Sequence, residues 1–64
     1  MNPIDLTALV GRPVEEARRL VAAQGYQFRV LIQDGKSSFA TTDLRLDRVN
    51  VEVAAGKVVR ADIG

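Results

Sequence analysis

The chain has 64 residues, nine of them Lys or Arg and eight Asp or Glu, for a net charge of +1, and it contains neither cysteine nor histidine. Without cysteine there is no disulfide framework or thiolate metal site, and without histidine the commonest general base and metal ligand are missing, so neither a metal nor a cofactor is expected. Charges of both signs are interspersed and Tyr26, Phe28 and Phe39 are the only aromatics, which argues against nucleic-acid binding, and no apolar run approaches the roughly 20 residues of a membrane span.

One domain over residues 1–64 is expected, with residues 1–5 flexible, and at this size it buries only about 60% of the surface its unfolded chain exposes. Residues 1–12 read as an irregular lead-in in which Leu6, Leu9 and Val10 tuck against the domain and Gly11 ends the segment. Pro13 then stands where a first helical residue would, needing no donor there. Glu15 and Glu16 fall in the first turn, where carboxylates suit the positive end of the helix dipole. Val14, Ala17, Val21 and Gln24, with Leu20 beside them, recur at helical spacing, and Gly25 is a natural stop. The pattern predicts a helix over 13–24, with Val14, Ala17, Leu20 and Val21 packed on a sheet.

Gln27–Gln33 is rich in branched and aromatic residues and alternates with Phe28, Val30 and Ile32 on one side, as a strand does. Asp34-Gly35 breaks it, and Lys36-Ser37-Ser38 has loop composition. The next alternating run is Arg48–Val53, with Val49, Val51 and Val53 on one face and Arg48, Asn50 and Glu52 on the other. Ala54–Lys57 turns the chain into a last run in which Val59, Ala61 and Ile63 alternate, so an antiparallel hairpin is expected. The order helix, strand, long loop, strand, turn, strand gives an α+β fold, a single helix packed on a small mixed sheet. The first two strands should be parallel, with the long loop of about residues 34–47 as their crossover.

A loop of that length in so small a domain is where function is sought. Catalysis fits poorly. Asp43 and Asp47 make a carboxylate pair and Ser37, Ser38, Thr41 and Thr42 supply hydroxyls, but no base stands ready to activate them, so the chain is not expected to be an enzyme and no catalytic residue is assigned. Asp34-Gly35-Lys36-Ser37 has the letters of a phosphate-loop ending without its first glycine or a following helix. The plain reading of Arg45 and Arg48 is surface pairing with Asp43 and Asp47, worth little per pair. The order of residues suggests more. Arg48 and Asn50 share the strand face away from the valines, and if the loop arches over that face they can donate to Thr41 and Asp43 and stiffen it. On this reading Arg48 is partly exposed beneath the loop.

Several segments together resemble the potato inhibitor I family of serine protease inhibitors, which includes the barley chymotrypsin inhibitor and eglin, and a related group of small microbial elastase inhibitors. They are Leu9-Val10-Gly11, Val14-Glu15-Glu16-Ala17, Thr41-Thr42-Asp43-Leu44-Arg45, Asp47-Arg48-Val49-Asn50-Val51 and Ile63-Gly64. The resemblance implies a long protease-binding loop between two parallel strands, spanning Ala40, Thr41, Thr42, Asp43, Leu44 and Arg45. Thr42 would enter the protease's primary specificity pocket, Thr42–Asp43 would be the scissile bond, and Arg48 and Asn50 would support the loop. Asn50 stands where the family usually carries a second arginine, as in the microbial group, and the interval from Gly35 to Asp43 is longer than the family's. The small Thr42 suits an elastase-like pocket. The implied partner is a serine protease; the alternative is a non-inhibitory relative acting as a protein-interaction module, with an exposed strand edge as the surface for self-association. A monomer is the default expectation. Met1–Asp5 lacks the start of a signal peptide, so the cytoplasm is the default compartment, or a secreted or periplasmic location if a leader preceded the chain.

Overall fold

A computed structural model of the chain describes residues 4–37 and 44–64. In chain order the elements are a 3₁₀ turn Leu6–Leu9, helix α1 (Val14–Ala23), and strands β1 (Gln27–Gln33), β2 (Lys36–Ser37), β3 (Arg48–Ala54) and β4 (Lys57–Ile63). The four strands form one sheet in the order β2-β1-β3-β4. β1 and β3 are parallel, while the β1–β2 and β3–β4 pairs are antiparallel. The expected α+β architecture is therefore present, one helix on a mixed sheet with two adjacent parallel strands.

The start of α1 is anchored by the sheet. Pro13 lies one residue earlier than expected, at the N-cap position with extended backbone and no capping side chain. The first helical N–H, on Val14, instead donates to the Gly56 carbonyl at 2.9 Å, in the β3–β4 turn. The lead-in is also bound to β4: Gly11 donates to the Val58 carbonyl and Val58 donates to the Arg12 carbonyl. Ahead of it, the Asp5 side chain accepts the Thr7 N–H and caps the 3₁₀ turn, and Ile4 packs against the core, so both residues belong to the fold.

At its other end α1 closes as a Schellman turn, with Gly25 donating to Ala22 and Tyr26 donating to Val21, two of the carbonyls a helix end leaves unpaired. That geometry needs Gly25 at φ +82°. A methyl group there would meet nothing within 4 Å, so Gly25→Ala costs backbone strain alone, about 1–2 kcal/mol. A lowered urea midpoint with an unchanged slope is the expected result; an unchanged midpoint would mean the turn does not hold Gly25 in the left-handed region.

The buried core comprises Leu9, Ala17, Val21, Val49, Val51, Val53 and Val58, with Val14, Phe28 and Val30 packed against it. The Arg18 guanidinium lies over the Phe28 ring, 5.0 Å from its centroid, which ties the helix flank to β1. Leu20 was expected in this core but is 37% exposed. Val14, Ala17 and Val21 take the sheet-facing stripe, and Leu20 is turned aside to an open groove beside Leu9 and Gln24. Val10, also expected inside, is 49% exposed.

Two bulges change which residues face the core. The β1–β3 register shifts between Val30 and Ile32, so that Ile32 lies beside Glu52 and not beside a core valine. Ile32 therefore does not continue the Phe28–Val30 face. In β4 the shift falls between the partners of Glu52 and Val53, which are Arg60 and Val58. Val58 is consequently buried while Val59, expected to alternate with Ala61 and Ile63, is 47% exposed. An inserted residue reverses the in–out alternation beyond it.

The segment expected to be loop after β1 begins as a hairpin. Asp34 and Gly35 both have positive φ, 51° and 80°, the requirement of a tight two-residue turn whose twist matches the strands. It returns Lys36–Ser37 alongside Ile32–Gln33. Asp34 also accepts the Ala55 N–H through its carboxylate at 2.8 Å, linking this turn to the one between β3 and β4.

Candidate functional site

The polar face of β3 is held by a connected set of hydrogen bonds. With Val49, Val51 and Val53 committed to the core, strand alternation turns Arg48 and Asn50 to the opposite side. Both are only 8% exposed. The parallel register sets Arg29 beside Asn50, and the Arg29 Nε donates to the Asn50 Oδ1 at 2.8 Å. The Asn50 Nδ2 donates to the Gly64 carbonyl at 2.7 Å. The Arg48 Nε donates to the same oxygen at 2.9 Å, and the Gly64 N–H returns to the Arg48 carbonyl at 3.0 Å.

This set joins β1 and β3 to the residue just after β4 through side chains and one carbonyl. The guanidinium bonds are charge-assisted, and no buried side-chain N or O among the described residues is left without a partner. A satisfied polar network of this kind is stiff. Glycine suits position 64 because a Cβ there would come within 3.1 Å of the Asn50 Nδ2, close enough to disturb the bond it makes. Arg48, expected to be partly exposed, is buried, and Gly64 is one of the groups that approach it.

The chain enters β3 through a strongly exposed segment. Leu44 is 74% and Leu46 75% exposed. Between them Arg45 makes two hydrogen bonds to the Asp47 carboxylate, at 3.2 and 3.3 Å. That hydrogen bond, reinforced by the charges of Arg45 and Arg48, holds the Asp47 carboxyl below its ordinary range. The pair lies open to solvent and adds little to stability. Leu44 and Leu46 are large apolar side chains left open to solvent at the entry to β3.

Of the residues singled out in the sequence, Leu44 and Arg45 occupy this exposed entry, and Arg48 and Asn50 form the buried base behind it. Ala40, Thr41, Thr42 and Asp43 lie outside the described residues, as do the bonds expected from Arg48 to Thr41 and Asp43. Sequence reasoning missed Arg29 and Gly64 as members of the base and Leu46 as part of the exposed entry. Arg29 could have been found by carrying the alternation of Phe28 and Val30 one step to the other face and adopting the parallel register. The Gly64 carbonyl has no signal in the sequence.

Among the described residues no helix is long and apolar enough to cross a membrane. No protein-family model matches the chain, and no curated protein matches it either.

Proposed function

We propose that the chain is a serine protease inhibitor of the potato inhibitor I type, presenting a substrate-like loop centred on Thr42–Asp43 to subtilisin-, chymotrypsin- or elastase-like enzymes. The observation that carries this reading is the buried Arg48–Asn50 pair, locked to Arg29 and Gly64 at the start of the strand that follows the loop. A substrate-like segment inhibits only when its ordering entropy has been met in folding and not in binding. A rigid, charge-bearing base beneath one end of the loop supports that condition, and exposed Leu44 and Leu46 add apolar surface for the protease to cover.

In this mechanism the protease engages Thr42 in its primary pocket, while Ala40, Thr41, Asp43, Leu44 and Arg45 lie along its cleft. Arg48 and Asn50 keep the segment from relaxing after attack, so the bound chain is released uncut more often than cleaved. The test is a titration of the three enzyme classes with the whole chain, reading residual activity together with mass spectrometry of fragments. Stoichiometric inhibition with slow cleavage at Thr42–Asp43 is expected. Rapid cleavage, or full residual activity with every enzyme, would reject the proposal and favour the non-inhibitory interaction module.

Specificity gives a second check. Thr42→Leu fills a deep apolar pocket better than a small β-branched side chain. It should lower the inhibition constant for chymotrypsin- or subtilisin-like enzymes by on the order of tenfold or more. If the constant is the same for all of them, Thr42 is not the residue that enters the pocket.

A further inference from the structure

We propose that β4 is a self-association edge, on which a second copy of this chain adds its own β4 antiparallel to form a continuous sheet across a two-fold axis. β4 is the outer strand beside β3, and an open strand edge is a template for pairing. The lead-in covers only its beginning, through the bonds of Gly11 and Arg12 to Val58 and a bridge between Pro13 and Lys57. From Val59 onward no described residue takes the outer edge.

The direction of the free groups follows from the ladder. Gly64 donates to Arg48, and the β3–β4 register continues as Asn50 with Asp62 and Glu52 with Arg60. Hydrogen-bonded and non-bonded pairs alternate in an antiparallel ladder. Asp62 and Arg60 therefore bond toward β3, and Ala61 and Ile63 present their N–H and carbonyl groups outward. A second β4 must set its outward residues against these.

The charges then select one register. With Ala61 opposite Ala61 of the second copy, Arg60 of each copy lies opposite Asp62 of the other, twice over. These fall at non-bonded positions, where facing side chains come closest. Shifting the register either way places Arg60 against its own copy or Asp62 against its own copy, and like charges directly opposite are destabilising. One of those shifts also drives Ile63 into the lead-in that covers Lys57. In the selected register Ala61 and Ile63 of each copy keep to the core side. Arg60 and Asp62, which already lie 3.6 Å apart within one exposed strand, join into a four-member charge cluster on the other.

The test is sedimentation velocity over a concentration series from micromolar to millimolar, with circular dichroism to verify folding. The unmodified chain should approach twice its monomer mass. Asp62→Arg and Arg60→Asp, each alone, face like charges across the axis, and association should weaken about tenfold or more. Mixed in equal amounts the two variants are complementary at both pairs, and the dimer should return. Should either single variant fail to fold, the double exchange Arg60→Asp/Asp62→Arg replaces it; it should dimerise with itself and not with the unmodified chain. An unmodified chain that stays monomeric at millimolar concentration overturns the proposal. So does a dimer indifferent to these exchanges, since it would use another surface.

Discussion

Arg48→Ala is expected to lower stability by about 1.5–3 kcal/mol, the range for hydrogen bonds to a charged group, and to convert a slowly cut ligand into a faster substrate. The stability term follows from burial. Arg48 is 8% exposed and donates to the Gly64 carbonyl, so truncation removes a charge-assisted bond and leaves a gap beneath the polar face. Asn50 still donates to that carbonyl, and the valine face of β3 is untouched, so the fold should survive. The kinetic term rests on the inhibitor proposal: with the base loosened, the loop visits geometries that complete hydrolysis at Thr42–Asp43. The measurement pairs a urea titration with a protease time course analysed by mass spectrometry, under conditions in which both proteins remain folded. Equal cleavage rates for the two would show that Arg48 serves the fold alone, and the proposed mechanism would fail even if the stability loss were found. Arg48→Lys, which keeps the charge without the fixed fork of donors, should fall between the two.

Leu9→Ala is expected to be the most destabilising simple truncation. Leu9 is 2% exposed in a core otherwise built largely of valines, and it is the residue by which the 3₁₀ turn Leu6–Leu9 is buried. A buried leucine replaced by alanine costs about 2–5 kcal/mol, the larger values where the surroundings cannot close on the space. At about 0.05–0.15 kcal/mol per residue, a domain of this length has little more than that to lose. The lead-in is also fastened to Val58 through Gly11 and Arg12, which limits how far it can sink into the vacated volume. Chemical denaturation followed by circular dichroism should find the midpoint displaced close to zero denaturant. A loss under about 1 kcal/mol would mean that the turn is only laid on the core, since even the loss of a single buried methylene approaches that value.

The proposed base of the loop was half legible in the sequence. Arg48 and Asn50 could be assigned to a face opposite the valines because β3 runs without interruption through them, and strand alternation is a local property. Their partners could not. Arg29 reaches Asn50 across 21 residues of sequence and Gly64 reaches Asn50 across 14. Which residues meet at such separations depends on the register of the parallel pair and on where the last strand ends against β3. The burial of Arg48 was missed in part for the same reason, since Gly64, one of the groups that approach it, is 16 residues away in sequence.

By itself the sequence determined the helix and its glycine stop, the three longer strands, the terminal hairpin and the parallel crossover. Each of these rests on periodicity, turn chemistry or connection length, which act over a few residues. Tertiary structure decided the side on which particular residues fell. The shifts beside Leu31 and Val59 reversed the expected roles of Ile32, Val58 and Val59, because counting in and out along a strand assumes one residue per pleat and a bulge holds two. Leu20 lost its place in the core because a narrow stripe of the helix suffices to cover so small a sheet, and the short β2 appeared because the Asp34-Gly35 turn had a neighbouring strand end to pair with. Local pattern named the elements, and the packing of one element on another chose which of their residues were buried.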